Sequence, residues 1–110
     1  SGAELLHGCA IAVCDSSGDD MRVIAPQAAD ELLNISGVKA SFVLYANGGT
    51  VNISARSMGA FNVQVIMEKM GGGGQHTMAG AQIKDMDCHQ ARTRLAAIIE
   101  EYAAAQERKE

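Results

Sequence analysis

A chain of 110 residues, 47% hydrophobic and 20% charged, is long enough for one ordinary core and too short for two, so residues 1–110 read as a single domain. The net charge of -4 and the pI near 5.3 exclude the basic face of a dedicated duplex-DNA binder. No apolar run approaches the ~20 residues of a membrane span and no signal peptide is seen, while a start at Ser1 suggests a piece of a longer protein.

The first predicted element is the run Cys9 to Cys14, apolar on both faces, as suits a strand inside a covered sheet. After the turn-like run Asp15 to Asp20, Ile24, Ala28 and Leu32 share one helical stripe with Ala29 and Leu33 beside it. Pro26 suits that helix's first turn and Gly37 follows its end. Val38 to Ala46 and Thr50 to Ser57 alternate around Asn47-Gly48-Gly49, a β-hairpin signal. In the second of these strands Val51, Ile53 and Ala55 form a core face, and Asn52, Ser54 and Arg56 a polar one. Asn62 then caps a helix with Val63, Ile66, Met67 and Met70 on its apolar side. Ala81 to Ile83 predicts a short strand. Asp87, with Gln90 at the capping-box position, opens a last helix striped by Ala91, Leu95, Ile98 and Tyr102, and Gln106 to Glu110 is expected to fray. The order β-α-β-β-α-(β)-α predicts an α/β fold, a mixed β-sheet with helices packed on it.

Two features bear on chemistry. The three cysteines, Cys9, Cys14 and Cys88, are odd in number. Cys9 and Cys14 fall on opposite faces of a strand, so buried, inert thiols are expected rather than a metal site with His7, Cys88 and His89. The second feature is the run Gly71-Gly72-Gly73-Gly74-Gln75-His76. It is no Walker loop, because Gln75-His76 follows the last glycine, and no dinucleotide fingerprint, because it follows a helix. Two readings stay open: an anion nest of exposed backbone amides, or a flexible helix-to-strand connection. Arg56, beside Ser54 and Ser57 on the preceding strand, turns the balance toward phosphate, since a guanidinium fork, two hydroxyls and backbone amides form a coherent set; a solvated strand arginine is the alternative. The net positive charge of residues 51–84, three basic groups against one acidic, fits that set.

The segment from Val51 to Gly74, with its Ser-Ala-Arg-Ser strand, Asn-Val-capped helix and glycine-histidine loop followed by Ala79, Gly80 and Ala81, resembles the C-terminal DHH-associated domain of the DHH phosphoesterase superfamily. It is most similar to the version found in GdpP-type cyclic-di-AMP phosphodiesterases of bacterial signalling. The runs Ala28 to Leu33 and Ala40 to Val43 fit as well, so the likeness spans nearly the whole chain. The resemblance implies a substrate-gripping domain with no catalytic residue and no metal ligand of its own. An upstream DHH domain of the same chain would hold manganese or another divalent metal and perform the hydrolysis. It further implies a cytoplasmic placement, with no membrane contact by these residues and any membrane anchor in the parent protein.

The implied substrate-binding residues are Ser54, Arg56, Ser57, Gly71, Gly72, Gly73, Gly74, Gln75 and His76. One departure concerns the donor next to the glycines. The family's histidine follows the last glycine directly, whereas here Gln75 stands there and His76 comes next. His76 is expected to supply the donor despite the offset, with Gln75 as competitor and Gly73 inside the nest. The partner is then a cyclic dinucleotide. The alternatives are a short oligonucleotide, as in oligoribonucleases and RecJ-like exonucleases, or a non-catalytic interaction module.

Overall fold

The computed structural model describes residues 3–16 and 18–109. Its elements in chain order are β1 (Glu4–Leu6), β2 (Cys9–Val13), α1 (Met21–Leu32), β3 (Ala40–Asn47), β4 (Thr50–Ser57), α2 (Val63–Lys69), β5 (Gly73–Gly74), β6 (Met78–Lys84) and α3 (Cys88–Lys109). They build one mixed sheet in the order β1-β2-β3-β4-β6-β5, in which β2 and β3 are parallel and the other neighbours antiparallel. The expected α/β architecture is present, with two strands, β1 and β5, that the sequence did not announce. Both are too short for a hydrophobic period to register.

Alternation along the central strands sorts the helices onto two faces. Phe42, Leu44, Val51, Ile53 and Ala55 point into the larger core, where they meet Ile66 and Met67 of α2 and Leu95 and Ile99 of α3. Val43 and Tyr45 point the other way and pack on Met21, Ala25 and Ala29 of α1. Ser41, buried on that same face, donates to the Ala29 carbonyl at 2.6 Å and so joins α1 to β3 by a satisfied polar contact.

Local signals hold where they rest on side-chain chemistry. Gly48 and Gly49 take φ of 59° and 81° between the paired Asn47 and Thr50, as a two-residue hairpin turn demands. The Asn62 Oδ1 accepts from the Gln64 and Val65 amides at 3.0 and 3.4 Å. Asp87 and Gln90 exchange backbone-to-side-chain bonds at 2.9 and 2.8 Å, a complete capping box.

Phase and length differ from expectation in three places. Helix α1 begins at Met21, so Pro26 lies in its second turn, and its buried stripe is Met21, Ala25 and Ala29 while Ile24 is exposed. Strand β6 starts at Met78, three residues before Ala81, because pairing with β4 and β5 extends it. Helix α3 runs on to Lys109, so Gln106 to Lys109 are helical; Glu110 lies outside the described residues.

Cys9 belongs to the larger core and Cys14 packs against the α1 cluster, on opposite sides of the sheet. Burial, opposed in part by nearby Lys39, pushes the Cys9 thiol up to about 12; Cys14 and Cys88 are raised by burial and then by Asp15 and Asp87. All three are free thiols; Cys9 is buried as expected, whereas Cys14 and Cys88 are only partly buried. No described helix is long and apolar enough to cross a membrane.

Candidate phosphate-binding face

The polar side chains of β4 share their face with α1, which lies over β3 and leaves part of β4 and β6 open. The ladder registers arrange this face in rows. Ser41, Arg56 and Met78 stand side by side; Val43, Ser54, Gly80 and Gly73 form the next row; Tyr45, Asn52 and Gln82 the third.

Arg56 is held, not solvated. Its side chain is 13% exposed, Nε donates to the Asp30 carboxylate of α1 at 3.1 Å, and Nη1 donates to the Ala55 carbonyl at 2.9 Å. Three of the five guanidinium N–H groups are left without a protein partner among the described residues. Asp30 is 26 residues away in sequence, and no local pattern marks it as the partner of Arg56.

The glycine run does something other than expose amides. Gly71 takes φ of +86°, its N–H bonds to the Glu68 carbonyl at 3.1 Å, and the Gly72 N–H bonds to the Met67 carbonyl at 2.8 Å, so both close the end of α2. Gly73 and Gly74 pair with Gly80 and Ala79, and the Gln75 N–H bonds to the Met78 carbonyl at 2.7 Å. The expectation of a free-amide nest is therefore corrected at Gly71, Gly72 and Gln75. A Cβ at Gly72 would lie 2.1 Å from the Gly80 oxygen, and one at Gly74 would lie 2.5 Å from the Ala79 Cα. Gly73 meets nothing within 4 Å and has no left-handed φ. Close approach of β5 to β6, with the turn out of α2, is what these positions require.

The mutual bonds between Gln75 and Met78 place those two opposite each other, with His76 and Thr77 as the hairpin tip. Gln75 therefore shares the face and the row of Arg56 and Met78. His76 faces away from them. Its Nε2 donates to the Gly59 carbonyl at 2.6 Å, and its own carbonyl accepts from the Val63 amide at 3.0 Å, so it fastens the loop entering α2. Ser57 joins that same loop. Its hydroxyl reaches the His76 carbonyl and the Gly59 amide at 3.4 Å each, and it is buried on the opposite side of β4 from Ser54 and Arg56. The structure thus brings Ser54, Arg56 and Gln75 to one face, with Gly72, Gly73 and Gly80 between them, and sets Ser57 and His76 apart.

A groove of about 480 Å³ runs over Ser54, Gly72 and Gly80. A separate cleft of about 460 Å³ lies by α3, lined by His7, Lys39, Phe61 and Tyr102. No group of three or more His, Cys, Asp or Glu side chains is placed to hold a metal ion among the described residues.

The DHHA1 domain model matches residues 9–105. The cyclic-di-AMP phosphodiesterase GdpP of Geobacillus thermodenitrificans (strain NG80-2) is 50% identical over 97 residues, 87% of this chain and 15% of that protein. The cyclic-di-AMP phosphodiesterase PdeA of Listeria monocytogenes serotype 1/2a (strain 10403S) is 46% identical over 101 residues, 90% of this chain and 15% of that protein. The chain therefore spans about 15% of the length of these relatives. An exopolyphosphatase-related protein from Bacteroides fragilis shares the fold with a TM-score of 0.78 at 16% identity, over 96% of this chain and 33% of that one. With the DHHA1 match running through nearly all of its sheet and helices, this chain belongs to the DHHA1 domain family.

Proposed function

We propose that this DHHA1 domain is one domain of a longer cyclic-di-AMP phosphodiesterase and grips a phosphate of the cyclic dinucleotide while a separate metal-bearing domain hydrolyses it. The observation that carries this is Arg56, oriented by Asp30 and the Ala55 carbonyl, with three N–H groups left without a protein partner among the described residues on a side chain that is 13% exposed. An arginine fixed on two sides loses little side-chain freedom when a phosphate arrives, which favours binding. Ser54, two residues before it on β4, offers a hydroxyl, and Gln75, one strand beyond Met78 in the same row, offers a carboxamide. The two relatives named for cyclic-di-AMP hydrolysis support the substrate class. The residues described here do not fit a catalytic manganese, so no chemical step is assigned to them. The oligonucleotide alternative gains nothing from this face. Tyr45, its one aromatic side chain in the three rows, is only 5% exposed and offers no stacking platform.

Incubated alone with cyclic diadenylate and manganese, the chain is expected to yield no linear diadenylate; measurable turnover would refute the division of labour. Within the full-length parent, Gln75→Ala is expected to raise KM about threefold or more, the scale of one neutral hydrogen bond. His76→Ala is expected to act on thermal stability instead, because its ring serves the Gly59 loop. A KM effect confined to His76→Ala would reverse these roles.

A further inference from the structure

The polar face continues past Ser54 into a row that the phosphate contact does not use. Asn52 lies directly opposite Gln82 in one ladder and Tyr45 in the other, so two carboxamides stand side by side on β4 and β6. Asn52 is half-buried and Gln82 exposed, and no side-chain polar atom that lacks a partner is buried among the described residues. Both carboxamides border the groove that runs over Ser54, and its continuation of about 540 Å³ reaches Thr50 and Arg22. These volumes suit a small ligand. In the row between the carboxamides and Arg56, β4 carries only the small Ser54 and β6 only Gly80, so the sheet surface there is low.

A carboxamide presents one acceptor beside two donors. Adenine presents the complement on its outer edge, the N6 amino donor beside the N7 acceptor, whereas guanine presents two acceptors there and would set O6 against the carboxamide oxygen. Asn52 is four residues from Arg56, about 13 Å along the strand, and both side chains rise from the same face. We propose that Asn52 and Gln82 form a base-recognition subsite that selects adenine over guanine. This rests on the phosphate-binding reading of Arg56 and extends it to the base.

The test is binding of cyclic diadenylate and cyclic diguanylate to the full-length parent with divalent metal omitted. Wild type is expected to prefer the adenine ligand by about tenfold or more. The double variant Asn52→Ala/Gln82→Ala is expected to lose that preference by weakening the adenine ligand alone, and the near-isosteric Gln82→Glu should move the same way with an unchanged melting temperature. Arg56→Ala should weaken both ligands together. If the preference survives the double variant while Arg56→Ala still weakens both, the base subsite is wrong and the phosphate reading stands. If Arg56→Ala leaves both affinities intact, the phosphate reading fails and takes the subsite with it.

Discussion

Gly72→Ala is expected to be severely destabilising, with the closest Cβ clash of any described glycine. The added carbon would sit 2.1 Å from the Gly80 oxygen and 2.7 Å from the Ala81 Cα and Cβ, and these are backbone and first-carbon atoms with no rotamer to move into. Relief requires β5 to part from β6, and with it the Gly72 amide from the Met67 carbonyl that closes α2. Overpacking of this kind, with no soft neighbour, costs about 3 kcal/mol or more, a large share of the 5–15 kcal/mol that holds a typical domain together. Thermal denaturation should show a melting temperature lower by roughly 10 °C or more. Gly73→Ala is the internal control. A Cβ there meets nothing within 4 Å and the backbone needs no left-handed φ, so its melting temperature should stay close to wild type. Equal damage at both positions would contradict the close approach inferred for Gly72.

Arg56→Ala carries the largest expected effect on function. In the full-length parent it removes a charge-assisted contact of about 1.5–3 kcal/mol, so kcat/KM should fall about tenfold or more. The same substitution also removes the Asp30 pair and the packing of a long stem that is mostly covered. Asp30 itself is 63% exposed at its side chain, so solvent screens that pair and its loss should lower stability by no more than about 1 kcal/mol. Lost stem packing adds to that, so the signature of phosphate binding is a fall in kcat/KM measured well below the melting temperature of the variant. A variant with wild-type kcat/KM and only a lowered melting temperature would make Arg56 a structural brace between α1 and the sheet.

How far the fold was legible depended on the range of the interaction concerned. The Gly48-Gly49 turn, the Asn62 cap and the Asp87–Gln90 box each close within a few residues, and the polar alternation of Asn52, Ser54 and Arg56 follows from strand geometry alone. The stripe of α1 holds at Ala28, Ala29 and Leu32 and fails at Ile24, because the apolar Val23 and Ile24 on the outer surface compete with the buried Met21 and the small buried Ala25 for the hydrophobic period. Ser57 adjoins Arg56 in sequence but not in space, since neighbours in a strand face opposite ways. Neither the orientation of His76 nor that of Gln75 is written in the loop itself. Both follow from which residue of β6 the chain pairs with after Gly74, a tertiary register that places the tip at His76-Thr77. The Arg56–Asp30 pair is of the same kind, since it needs the packing of α1 over the sheet.

The most direct test of phosphate capture by the Arg56 face is the dissociation constant of cyclic diadenylate for the full-length parent, measured without divalent metal so that no hydrolysis intervenes. Arg56→Ala and Lys39→Ala each remove one cation, the first from the polar face and the second from the cleft beside Tyr102. The expected result is a dissociation constant raised about tenfold or more by Arg56→Ala and changed by less than about twofold by Lys39→Ala. The reverse pattern would move the nucleotide to the opposite side of the sheet and contradict the site described here.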